Sequence, residues 1–116
     1  MSNVIGIDLG TSFSVVSTLD HTGRPVIVPN KNGENMTPSV VSFEEDGTTE
    51  VGTGARRELQ TGDLNTVGGF KRDMGTDITY PVHNQNLSPI QLSALILTKL
   101  KEGTEEILGD IDETVI

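Results

Sequence analysis

Apolar residues fall into short runs through the first half of the chain and into one helical stripe near its end. Residues 4–9 (VIGIDL) are short, β-branched and closed by Gly10, which predicts a buried strand. Residues 14–19 (SVVSTL) predict a second strand, and Asp20-His21-Thr22-Gly23 supplies the turn after it. Residues 25–29 (PVIVP) predict a third, with proline at its ends rather than in its middle. Together these make an antiparallel three-strand meander. A polar loop, residues 30–36, leads to a strand over residues 39–43. Glu45-Asp46-Gly47 then turns the chain into residues 49–51. A short helix is expected over residues 55–60, with Gly62 just beyond it. Residues 64–74 hold too much glycine to assign. Residues 78–82 suit a short edge strand, followed by a turn in HNQN.

The strongest helix signal comes next. Ser88 is placed as N-cap, Pro89 as the first helical residue and Gln91 as the third, which is a capping box with proline where its missing N–H does no harm. Leu92, Ile96, Leu100 and Ile107 form an apolar stripe flanked by Ala94, Leu95 and Leu97. Gly109 is expected to end the helix in the left-handed conformation, so it should span residues 89–108. Gly103 weakens it by about 1 kcal/mol relative to alanine. Residues 112–116 read as the start of another strand.

Composition narrows the function classes. The chain has 116 residues, enough for one domain or part of a larger one. It carries 17 acidic and 8 basic side chains, a formal charge of −9, so general nucleic-acid binding is not expected. There is no cysteine, which removes disulfides, thiolate zinc sites and cysteine nucleophiles. The N-terminal residues lack a secretory pattern, and no apolar run approaches the roughly 20 residues that span a membrane. The chain is therefore read as cytoplasmic.

The turn after the first strand carries the candidate chemistry. Asp8 ends an apolar strand and meets Gly10, Thr11 and Ser12, with Ser14 just beyond. A tight turn concentrates backbone N–H groups into an anion-binding nest, and hydroxyls add donors. A carboxylate beside such a nest makes sense if it holds hydrated Mg²⁺, which uses few carboxylates. An ordinary hairpin turn has the same composition, so spacing leaves both readings open. The glycine-rich signatures of P-loop and dinucleotide-binding proteins are absent.

Five motifs carry a family resemblance. IGIDLGTSFSVVS resembles the first phosphate-binding hairpin of the actin, hexokinase and heat-shock-70 ATPase superfamily. NGENMTPSVVSF, VGTGARRELQ, NTVGGFKRDMGTD and SPIQLSALILTKLKEGTEEILGDIDETVI resemble, in order, segments of heat-shock-70 (DnaK-type) chaperones. The resemblance implies an α/β fold of the actin-like, ribonuclease H-like ATPase type. The chain would be a fragment of lobe I: the meander, one long helix, and an inserted small α+β subdomain. Residues 1–36 and 88–116 would form the core subdomain and residues 37–87 the insertion.

The same resemblance implies roles for named residues. Asp8 would bind Mg²⁺ through water. Gly10, Thr11, Ser12 and Phe13 would wrap the phosphates of ATP or ADP. Lys71 would reach the γ-phosphate and the attacking water as the catalytic lysine, and Arg72 would bind phosphate or position Lys71. The parent would be an ATPase assisting protein folding under stress. Its partners would be unfolded polypeptides, a J-domain co-chaperone and a nucleotide exchange factor. A sugar kinase, a filament protein or a noncatalytic interaction module are the alternatives. The second phosphate loop and the adenosine pocket would lie beyond residue 116, so the isolated fragment is expected to be inactive and to self-associate through exposed strands. Gly68 and Gly69 replace a bulky and a small residue before the lysine, which suggests a looser strand there. Arg56 and Arg57 are expected on a solvated helix face, and Thr37 and Ser39 in purely structural roles.

Overall fold

The computed structural model of the protein describes residues 3–116. β1 (Val4–Leu9), β2 (Phe13–Leu19) and β3 (Pro25–Val28) run antiparallel, each beside its neighbour in sequence. The register sets Ile7 opposite Val16 and Val16 opposite Val28. Period-2 alternation puts these three and Ile5 on one face, and all four are buried. Asp8 falls on the opposite face and is exposed.

The strand expected over residues 39–43 begins one residue later, and the two residues before Ser39 form a separate short strand. β4 (Thr37–Pro38) extends the first sheet by pairing with the start of β2. β5 (Val40–Phe43) is the centre of a second sheet, between β6 (Thr49–Val51) and β7 (Thr66–Gly68). The break falls at Ser39, whose N–H donates to the Ser12 carbonyl at 2.9 Å.

α1 (Thr53–Gln60) starts two residues earlier than its apolar pattern suggests and covers one face of the second sheet. Its first residue is tied to the loop before β4: the Thr53 hydroxyl donates to the Glu34 carboxylate at 2.8 Å, and the Asn30 amide donates to Thr37 Oγ1 at 3.0 Å. After β7 the chain makes a short 3-10 turn, Phe70–Asp73, and then a hairpin of β8 (Tyr80–Val82) and β9 (Gln85–Leu87). The 3-10 turn answers the ambiguity of residues 64–74.

α2 spans Pro89–Leu108 as its caps dictate, and both hydrogen bonds of the capping box form. Gly109 has φ 82° but ψ −158°, so it ends the helix in a glycine-only extended conformation, not the left-handed one expected. Leu92, Ile96 and Leu100 are buried against the sheets, whereas Ile107 is 50% exposed. The buried stripe ends on Gly103 and Thr104 instead. β10 (Glu113–Val115) returns parallel to β1 at the edge of the first sheet. The Asn3 amide clasps this junction, donating to the Leu108 and Asp110 carbonyls at 2.9 Å each. Among the described residues no helix is long and apolar enough to cross a membrane.

Candidate functional site

The turn between β1 and β2 is closed by the Gly10 N–H, which donates to the Phe13 carbonyl at 3.0 Å. A Cβ at Gly10 would sit 2.3 Å from that same oxygen, so only glycine fits here. Ser39 holds the turn from below. Its buried hydroxyl donates to the Gly10 carbonyl at 2.8 Å and lies 2.9 Å from Ser14 Oγ. The turn is thus braced by β1, β2 and the Ser39 junction before anything binds to it.

What the turn presents outward is a set of donors. Neither the Thr11 nor the Ser12 N–H has a protein acceptor among the described residues, and their hydroxyls make no side-chain hydrogen bonds there. The Asp8 carboxylate is exposed at the end of β1 and belongs to no ion pair among the described residues.

Lys71 comes to this turn from 62 residues away. Its ammonium donates to the Leu9 carbonyl, between Asp8 and Gly10. The 3-10 turn delivers it. Phe70, 2% exposed, anchors that turn in the core. Tyr80 packs edge-on to Phe70 with ring centroids 6.5 Å apart, and its hydroxyl donates to the Asp73 carboxylate. That hydrogen bond, and then burial, push the Tyr80 phenol above its ordinary pKa. An ammonium carries three donors, so Lys71 keeps others free after serving Leu9.

The two glycines before Lys71 do not loosen the strand. A Cβ at Gly68 would meet Leu59 at 3.1 Å and Val40 at 3.2 Å, which is close packing of α1 on the sheet. Gly69 has φ +69°, and a Cβ there would lie 2.5 Å from the Arg72 guanidinium. Arg72 folds back over its own turn, donating to the Gly69 carbonyl at 3.3 Å. It stands beside Lys71 in sequence, and its hydrogen bond goes to its own turn.

Arg56 corrects the reading of α1. It is half-buried, and its guanidinium carbon lies 5.5 Å from the centroid of the Phe13 ring. A cation over an aromatic face is attracted to it. Arg56 therefore adds positive charge beside the hairpin, as its composition alone did not indicate. Ser39 was legible only as a serine inside an apolar strand, where a hydroxyl needs a partner. A cavity of about 270 Å³ between α2, the start of α1 and the loop at residues 30–35 is lined by neither Asp8, Lys71 nor the Gly10–Phe13 turn.

Unengaged N–H groups, two free hydroxyls, an exposed carboxylate and a lysine on one turn are a donor set suited to a phosphate with a hydrated divalent ion. The class is that of α/β proteins whose mixed first sheet carries this donor-lined turn between β1 and β2. The model of the Hsp70 protein family matches residues 4–116, and the chain belongs to that family. It is therefore a chaperone-family chain, with the actin-like α/β fold that the family implies.

Proposed function

We propose that this chain is part of lobe I of the nucleotide-binding domain of an ATP-dependent DnaK-type chaperone. It supplies the first phosphate and Mg²⁺ hairpin and the catalytic lysine. The observation that carries this is the meeting of Lys71 with the carbonyl of Leu9, beside N–H groups that have no protein acceptor among the described residues.

Each residue's task follows from its chemistry. The Thr11, Ser12 and Phe13 backbone and the two hydroxyls bind phosphate oxygens, and Gly10 keeps the turn tight enough to converge them. Asp8 holds Mg²⁺ through its water shell, and the ion neutralises phosphate charge when bound. Lys71 adds positive charge where it builds up in phosphoryl transfer and orients the attacking water. Arg72 assists by holding the Lys71 turn or by contacting phosphate. Arg56, over Phe13, raises the local potential. Such transfer depends on positioning and electrostatics more than on covalent chemistry. The partners consistent with this role are unfolded polypeptides, a J-domain co-chaperone and a nucleotide exchange factor, in the cytoplasm.

The test is ATP turnover by the protein carrying its complete ATPase domain. Lys71→Ala should lower kcat by about 100- to 1,000-fold while retaining nucleotide binding. Asp8→Ala should lower turnover and remove its dependence on Mg²⁺. Unchanged turnover in both variants would overturn these residue roles, and no turnover in wild type would leave a noncatalytic interaction module as the better reading.

A further inference from the structure

On the second sheet, away from the hairpin, a row of polar side chains crosses three strands. The register sets Ser42 of β5 directly opposite Glu50 of β6 on one side and Thr66 of β7 on the other. Directly opposed residues share a face, here the face covered by α1. Glu58 of α1 comes down on this row, its Oε2 2.6 Å from Ser42 Oγ. Glu44, just past the end of β5, places its Oε1 3.0 Å from the same hydroxyl. Gly54 lets the third carboxylate in: a Cβ there would lie 2.0 Å from Glu50 Oε1.

One oxygen from each of Glu44, Glu50 and Glu58 lies within 4.8 Å of the others. Among the described residues, neither ion pair involves any of the three. The Ser42 hydroxyl has one hydrogen for two carboxylate acceptors, so one of those short contacts lacks a proton from serine. Thr66 is a second, separate sign. It is 6% exposed, its Oγ1 has no hydrogen-bond partner, and the register sets it on the same face directly beside Ser42, whose hydroxyl meets two of the carboxylates. A buried hydroxyl without a partner is costly unless something fills its lone pairs. Glu45, Asp46 and Asp63 line the neighbouring depression with Glu44 and deepen the negative potential.

We propose that Glu44, Glu50 and Glu58, with the Ser42 and Thr66 hydroxyls, form a divalent-cation site that takes Ca²⁺. All candidate donors are hard oxygens, which excludes a preference for soft metals. The hard ions differ in what they demand: Mg²⁺ needs near-ideal octahedral geometry and keeps its waters, whereas Ca²⁺ accepts an irregular set of protein oxygens such as this one. Ca²⁺ here ties β5 and β6 to α1, the helix whose Arg56 reaches Phe13.

Calorimetric titration with CaCl₂ and thermal melting, in calcium and in chelator, test this on the whole chain. Wild type should bind one Ca²⁺ and melt higher in its presence, by mass action. The double variant Glu44→Gln/Glu58→Gln should bind Ca²⁺ at least about 100-fold more weakly. In chelator it should melt no lower than wild type, because like charges have been removed, and this shows that it still folds. Asp8→Asn should keep the calcium response, which separates this site from the hairpin. An equal calcium response in the double variant, its loss in Asp8→Asn, an equal shift with MgCl₂, or no response in wild type would each overturn the assignment.

Discussion

Ser39 shows how much a single hydroxyl organises. It stands between β4 of the first sheet and β5 of the second, with its N–H on the Ser12 carbonyl, and it supports the Gly10 carbonyl and Ser14 through its side chain. Both partners are held away from water, since Ser14 is 1% and Ser39 2% exposed. Ser39→Ala should therefore cost about 1–3 kcal/mol, measured by urea unfolding, because it strands polar groups rather than removing apolar contact. It should also weaken nucleotide binding while leaving every side chain that points outward from the turn in place. Lys71 is the opposite case. Its removal should leave the melting temperature nearly unchanged, because its one contact is exposed.

At the scale of elements, α2 was readable to the residue. Ser88, Pro89 and Gln91 fix its start by local chemistry, and local chemistry is what a sequence displays. Its buried face was readable only in part. Ile107 continues the apolar spacing but is half exposed, whereas Gly103 is covered by the stem of Lys31, whose Cε lies 3.6 Å from a Cβ built there. That distance is ordinary van der Waals contact. Gly103→Ala should stabilise the protein by up to about 1 kcal/mol, read as a rise in melting temperature with unchanged folded spectra. Unfolding at or below the wild-type temperature would show that Lys31 cannot yield. The split at Ser39 and the 3-10 turn at Phe70 were not readable, because each depends on contacts distant in sequence. The hairpin's donors were visible as a pattern. What they share with Lys71 was visible only through resemblance, since nothing local to Lys71 points to Leu9.

For the molecule as a whole, the acidic excess is partly organised rather than diffuse. The Thr22 hydroxyl and the Arg24 N–H hold Asp20 below its ordinary value of 3.8. The Thr48 hydroxyl and N–H do the same for Asp46, and the Thr53 hydroxyl, with the Asn30 amide, holds Glu34 below 4.5. A carboxylate whose pKa is lower in the folded state favours folding above its unfolded value, and that contribution is lost as pH falls through the folded value. Stability should therefore be flat near neutrality and fall with acid from about pH 4.5 downward. Thr53→Ala should flatten part of that fall in melts followed across pH. All three groups are near solvent, so the effect is modest and shrinks in high salt.

The pairing of β1 with β10 has a consequence for how the chain is made. Asn3 bonds to residues 105 and more positions away, and the partner of β1 is among the final residues here. As the polypeptide leaves the ribosome, the hairpin is born early with one flank bare. That flank stays open to strangers until the far segment emerges, so assembly of the first sheet is gated by synthesis itself.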